Sequence, residues 1–156
     1  MLYDKLIFPK RTLTVILLSM LSMGFLSVTA ARKKPVQKIK VACIGNSITY
    51  GTGIQDREHF SYPVQLQKML GDKYLVGNFG KPGATLLNHG HRPYMQQEEY
   101  RQAMAFKGDI AVIHLGINDT DPRNWPNYRD EFVKDYLSLM DSLRSANPKV
   151  RFILAC

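Results

Sequence analysis

Short apolar runs alternate with amphipathic helical patterns along residues 41–155, and this alternation largely decides the fold class. Four runs have the length and the β-branched content of buried strands, at 41–44, 74–76, 110–115 and 150–155. Helical patterns lie between them, at 62–70, 97–106 and 130–146. Alternation of this kind predicts βαβ units, and therefore an α/β fold whose parallel sheet has helices on both faces.

The N-terminal region has the three parts of a secretory signal peptide. Basic residues precede an apolar stretch at 13–26, and small residues follow it at 28–30. This stretch is shorter than the roughly 20 residues that a membrane span needs, although an uncleaved anchor is the alternative. We therefore expect residues 1–30 to be a signal peptide, the protein to be exported to the periplasm or the exterior of a bacterial cell, and no stable membrane association to follow cleavage.

The net charge of +8 is carried mainly by the N-terminal region. Residues 31–40 contain five basic and no acidic residues, whereas residues 41–156 contain 13 basic and 12 acidic ones. A protein that binds nucleic acid usually carries a basic face, so we expect no nucleic-acid partner. We interpret residues 31–40 as a basic linker and residues 41–156 as a single domain.

Cofactor motifs are absent from the sequence. Cys43 and Cys156 both lie in apolar runs, and no Cys/His cluster has the spacing of a zinc site. The glycines after the first run match neither phosphate-binding pattern, which argues against a nucleotide-binding domain. We expect no cofactor and no metal.

Residue types suited to acyl transfer follow three of the predicted strands. Ser47 follows the first strand on a Gly-Asn-Ser turn, a glycine-rich segment at 78–85 follows the second, and Asn118 follows the third. Because parallel strands end at the same edge of a sheet, we expect these residues to share one crevice. Acyl transfer needs a nucleophile and N–H donors at the developing oxyanion. A simpler interpretation is that Ser47 caps the turn that follows it.

These segments resemble the first three sequence blocks of the SGNH (GDSL-type) hydrolases: Gly45-Asn46-Ser47-Ile48, Asn78-Phe79-Gly80-Lys81-Pro82-Gly83-Ala84-Thr85 and Gly116-Ile117-Asn118-Asp119. The resemblance implies a three-layer, flavodoxin-like fold. It also implies that Ser47 is the nucleophile and that the Ser47 N–H, Gly83 and Asn118 form the oxyanion hole. The Gly-Asn-Ser-Ile-Thr form is similar to bacterial sialate and other carbohydrate O-acetylesterases, which implies a small-molecule or glycan acyl ester as substrate.

The resemblance covers only the N-terminal portion of that family. Its catalytic Asp and His come from an Asp-x-x-His block near the C-terminus, which has no counterpart before Cys156. We therefore expect the C-terminal part of the fold to be missing, and residues 31–156 alone to be poorly soluble and nearly inactive. Asp56 and His59 have the right spacing but follow the first strand, so we interpret them as a coincidence.

Other candidates lie near these blocks. We interpret His114 as a hydrogen-bonded core residue and His89 and His91 as ordinary loop histidines. Trp125 could line a sugar-binding site. Arg92 and Arg123 could pair with a substrate carboxylate such as that of sialic acid, although arginines that are only solvated at the surface are commoner. Two functional hypotheses remain open: a secreted serine O-acetylesterase acting on a carbohydrate, and a non-catalytic carbohydrate-binding relic or inactive fragment of the same fold.

Overall fold

The computed structural model of the protein describes residues 37–155. The predicted signal peptide, 1–30, and residues 31–36 of the predicted linker lie outside the described residues. The strands are β1 (Ile39–Gly45), β2 (Tyr74–Gly80), β3 (Ile110–His114) and β4 (Arg151–Leu154). The α-helices are α1 (Ser47–Tyr50), α2 (Arg57–Phe60), α3 (Tyr62–Leu70), α4 (Glu98–Phe106), α5 (Trp125–Tyr128) and α6 (Phe132–Ala146). No helix in this part of the chain is long and apolar enough to cross a membrane.

The described strands form one parallel sheet in the order β2-β1-β3-β4. This is the order of the first four strands of flavodoxin-like folds, and it confirms the predicted α/β class. The chain runs outward from β1 in both directions, so a crevice opens between the carboxyl ends of β1 and β3. Gly45 at the end of β1 pairs with Gly80 on one side and with His114 on the other.

Helices lie on both faces of the sheet. Ala42 and Ile44 of β1 pack into a buried cluster with residues of α4 and α6, among them Ala103 and Leu139. Cys43, between them, faces the opposite side, where its thiol interacts with the hydroxyl of Tyr62 at the start of α3. Burial there raises the pKa of the Cys43 thiol to about 11. The alternation along β1 therefore builds the predicted three layers.

Two predicted boundaries change in the structure. The first strand begins at Ile39 rather than 41, so Lys40 belongs to the sheet and not to a solvated linker. The backbone N–H of Lys40 donates to the Asp109 carboxylate at 2.8 Å, and its ammonium donates to a carbonyl of α4 at 3.1 Å. The second strand continues to Gly80, well past the predicted 74–76, because pairing with β1 overrides the low strand propensity of Gly77 and Asn78.

Strand β4 presents an apolar edge. It pairs with β3 on one side, and no strand among residues 37–155 pairs with its other side. Ile153 and Leu154 are about half exposed, at 54% and 50%, and Leu154 lines an apolar groove with residues of α6. Unpaired backbone groups beside exposed aliphatic side chains favour pairing between molecules.

We expect Ile153→Lys to raise, by roughly severalfold, the highest concentration at which residues 31–156 remain monomeric. The reason is that a charge on an edge strand opposes the addition of a strand from another molecule. Light scattering across a concentration series measures the effect. Met69→Lys is the matched control, since Met69 is exposed on α3, which packs against β2 at the opposite end of the sheet from β4. Equal association of the parent and Ile153→Lys would contradict a role of the β4 edge in self-association.

Candidate active site

Ser47 begins helix α1 two residues after the end of β1. Gly45 makes this turn possible, since an added Cβ would collide with Thr49 and lie 2.8 Å from the His114 carbonyl oxygen. Asn46 is buried and caps the helix: its Oδ1 accepts from the Ile48 N–H at 3.0 Å. The interpretation of Ser47 as the cap is therefore wrong. Within residues 37–155, no side chain forms a hydrogen bond with the Ser47 hydroxyl, which is half-buried.

Gly83 lies in a tight turn after β2. The turn is closed by a hydrogen bond from Ala84 N–H to the Lys81 carbonyl at 3.1 Å, with Pro82 and Gly83 at its centre. Gly83 has φ +77°, which a type II turn requires at this position and which glycine adopts without strain. The N–H of Lys81 donates to the Gly45 carbonyl at 2.9 Å and so joins the turn to β1. The Gly83 N–H has no acceptor within the described residues.

Asn118 lies in a single 3-10 turn, Ile117–Thr120, that follows β3. Its side-chain amide donates to the Ala84 carbonyl at 2.8 Å, which fixes the amide against the Gly83 turn. One N–H of this amide is thereby used, and the second is left to bind another acceptor. Ser47, Gly83 and Asn118 thus all follow strand ends that pair at the same edge of the sheet. Their catalytic roles stay a prediction.

Two buried carboxylates hold the loop that follows the Gly83 turn, and sequence reasoning did not identify their role. Asp119 accepts the backbone N–H groups of Leu86 and Leu87 at 2.9 and 2.7 Å. Asp135 of α6 accepts the backbone and side-chain N–H groups of Asn88 at 2.7 and 2.9 Å. Burial raises the pKa of Asp119, and the donated N–H groups oppose that shift. No local pattern reveals such contacts, because Asp119 lies more than 30 residues from its partners.

We expect Asp119→Ala to lower the free energy of unfolding by about 3 kcal/mol, because it leaves two buried N–H groups without acceptors. Denaturant titration measures the change. Asp141→Ala is the control: Asp141 is exposed on α6 and pairs with Arg144 at the surface, so its loss should leave the midpoint nearly unchanged. If both variants unfold at the parent's midpoint, Asp119 does not anchor this loop.

The histidines do not form a base for Ser47 in the described residues. His59 pairs with Asp56 at 2.9 Å in an exposed position, and neither is bonded to Ser47. His89 pairs with Glu131 at 2.7 Å, also exposed. His114 was predicted to be a hydrogen-bonded core residue, which is wrong: it is half-buried, and its ring forms no hydrogen bond within residues 37–155. No cluster of three or more metal-binding side chains occurs in the same part of the chain.

The two arginine candidates differ in their partners. Arg123 forms two hydrogen bonds to Asp121, at 2.9 and 2.8 Å, and holds the pKa of that carboxyl well below its usual range. Arg92 donates to the Pro82 carbonyl at 3.0 Å and lies beside Gly83, with no carboxylate partner among the described residues. Trp125 is 40% exposed and packs edge-on against Phe132, 5.6 Å between ring centroids. Of the two arginines, Arg92 is therefore the one free to meet an anion.

Comparisons with known proteins agree with this arrangement. Residues 43–156 match the GDSL-like Lipase/Acylhydrolase family. The chain is 51% identical over 106 residues to an acetylxylan esterase of Xylanibacter ruminicola, a match that covers 68% of this chain and 22% of that protein. Its fold is similar to the crystal structure of AlinE4, an SGNH-hydrolase family esterase, with a TM-score of 0.55 and 20% identity, covering 76% of this chain and 58% of that chain. The chain thus belongs to the GDSL-like lipase and acylhydrolase family, and it spans about a fifth of the length of the curated relative that it matches.

Proposed function

We propose that this chain supplies the nucleophile and the oxyanion hole of an exported serine esterase that removes O-acyl groups, chiefly O-acetyl, from carbohydrates. One observation carries the proposal: a serine hydroxyl and unpaired N–H donors follow strand ends that meet at one edge of the sheet. The match to an acetylxylan esterase supports the acetyl ester and the carbohydrate.

The residues divide the reaction between them. The Ser47 oxygen attacks the acyl carbon and loses its proton to a base, while the carbonyl oxygen becomes an oxyanion. That oxyanion accepts hydrogen bonds from the backbone N–H groups of Ser47 and Gly83 and from the second N–H of the Asn118 side-chain amide. Collapse breaks the bond to the sugar oxygen, which takes the proton back from the base and leaves as the alcohol. Water then gives a proton to the same base and attacks the acyl ester on Ser47, so that the acid leaves and Ser47 regains its hydroxyl proton. We propose that the base is the His of the family's Asp-x-x-His block, since no described residue fills that role.

Two carbohydrate classes are candidate substrates. The acetylxylan esterase relative supports a neutral acetylated sugar chain. O-acetyl sialic acid carries a carboxylate, and Arg92 beside Gly83 is the side chain that favours it. The second candidate function is a non-catalytic carbohydrate-binding relic, and the absence of a base on Ser47 within residues 37–155 favours that alternative.

Acetate release by the full-length gene product tests the proposal. The activity assay uses two substrates, acetylated xylo-oligosaccharides and O-acetyl sialic acid. Binding of the deacetylated form of each sugar is measured by calorimetry. Turnover that Ser47→Ala removes supports the esterase, and the preferred substrate identifies the sugar class. Binding of either sugar without turnover supports the carbohydrate-binding relic. A protein that shows no binding and no turnover would overturn both hypotheses.

The proposed export has its own test. Expression of the gene in its host, followed by N-terminal sequencing of the protein from the periplasm or the medium, should give a mature chain that begins at Ala31. Recovery of the intact N-terminus in the cytosol would contradict the signal peptide, and recovery in the membrane fraction would support the uncleaved anchor.

A further inference from the structure

Asn124 is a buried side chain that joins two segments of the site. It lies directly before α5 and is 1% exposed. Its Oδ1 accepts the backbone N–H of His91 at 2.9 Å, and its Nδ2 donates to the backbone carbonyl of Asn118 at 3.0 Å. Asn124 therefore connects the loop after the Gly83 turn to the turn that carries Asn118.

The orientation of the Asn124 amide is fixed by its partners. The His91 N–H can only donate and the Asn118 carbonyl can only accept, so oxygen and nitrogen cannot exchange places. The second N–H of Nδ2 faces the His91 ring, where Nδ1 lies 3.0 Å away and accepts when it carries no proton. When His91 Nδ1 carries no proton, Asn124 therefore uses both of its donors and one acceptor lone pair, as a buried amide requires.

Asn118 is consequently held at both of its ends. Its backbone carbonyl oxygen accepts from Asn124 Nδ2 at 3.0 Å, and from the Asp121 N–H at the longer distance of 3.4 Å. Its side-chain Nδ2 donates to the Ala84 carbonyl at 2.8 Å. The first bond fixes the backbone from which the side chain starts and the second fixes its amide, so the remaining N–H has one orientation. That N–H is the one that the oxyanion needs, and a shift of a fraction of an ångström weakens such a bond.

We propose that Asn124 is a positioning residue for the oxyanion hole: it orients the Asn118 amide through the Asn118 carbonyl while it fixes the loop at His91. The proposal rests on the proposed function, because it takes the Asn118 amide as an oxyanion donor. Asn124 itself does not touch the reacting atoms.

The first readout needs no activity. In ¹⁵N-labelled protein, the side-chain amide signal of Asn118 is assigned by its loss in Asn118→Ala. We expect Asn124→Ala to shift that signal and to speed its hydrogen exchange at least about tenfold, since a tenfold change corresponds to 1.4 kcal/mol of lost protection. Asn127→Ala is the matched control, because Asn127 is exposed and its side chain donates to the Arg123 carbonyl at 3.1 Å, with no bond to Asn118.

The second readout is a double-mutant cycle in the full-length gene product. If Asn124 acts through Asn118, Asn124→Ala lowers kcat about tenfold with KM unchanged, less than the loss of the donor itself. The same substitution then has almost no further effect in an Asn118→Ala background. A purely structural residue would lower kcat by the same factor in both backgrounds.

The outcomes separate the two proposals. An unchanged Asn118 signal in Asn124→Ala, or additive losses in the cycle, would overturn the positioning role. If the parent has no esterase activity, that result counts against the proposed function. The measurement of the Asn118 amide signal then decides alone whether Asn124 positions Asn118. If Asn124→Ala does not fold, hydrogen-bond couplings measured in the parent decide whether Asn124 holds Asn118. The couplings are those from Asn124 Nδ2 to the Asn118 backbone carbonyl and from Asn118 Nδ2 to the Ala84 carbonyl. Their absence would overturn the proposal.

Discussion

Ser47→Ala should lower acetyl ester hydrolysis by the full-length gene product by about 10⁴- to 10⁶-fold, the range seen when a serine hydrolase loses its nucleophile. The hydroxyl is half-buried at the end of β1 and is not used to cap α1, since Asn46 does that. Removing it should therefore leave the fold intact. A serine-reactive phosphonate provides a direct check, because it should label the parent and not the variant.

Ser145→Ala is the matched control for this prediction. Ser145 is exposed near the end of α6 and donates to the Ser142 carbonyl at 2.6 Å. Its loss should leave both turnover and labelling unchanged. Labelling that survives Ser47→Ala would assign the nucleophile to another serine.

We expect Asn118→Ala to lower kcat by about 10²–10³-fold, or roughly 3–4 kcal/mol, because one oxyanion donor is lost. The substitution also removes the hydrogen bond to the Ala84 carbonyl, so the free energy of unfolding should fall by about 1 kcal/mol. Steady-state kinetics and thermal unfolding, measured on the same preparation, separate the two effects.

Asn118→Asp is an informative second variant. A carboxylate has the shape of the asparagine side chain, but it accepts hydrogen bonds and cannot donate them. It would therefore repel the oxyanion, and this variant should lose activity as well. Asn127→Ala serves as the control, because Asn127 is an exposed asparagine. Activity within a few-fold of the parent in Asn118→Ala would exclude Asn118 from the oxyanion hole.

Local patterns predicted much of the fold. The apolar run that becomes β3 and the amphipathic stretch that becomes α6 were placed to within a residue or two, since periodicity and end signals lie within each segment. The position of the three candidate site residues at one edge of the sheet was predicted for a similar reason. Each follows a strand within a few positions, and parallel strands bring such positions to one edge.

Contacts between distant segments could not be predicted in this way. The extension of β2 to Gly80 depends on pairing with β1, and the sequence of that extension disfavours a strand. The capping role fell to Asn46 rather than Ser47 because the backbone at the end of β1 directs the Asn46 oxygen onto the Ile48 N–H. The fold likewise places Arg92 beside Gly83, where it donates to the Pro82 carbonyl ten residues earlier in the chain.

The sequence by itself determined the parallel α/β layout and the set of residues that meet at the carboxyl edge of the sheet, because both follow from order and spacing along the chain. Only the tertiary structure decided how that edge is held: Asp119 and Asn124 bind backbone groups of the loop at 86–91, about 30 residues earlier in the chain. A buried polar side chain is satisfied by whichever backbone group the fold brings to it, and no local pattern records that partner.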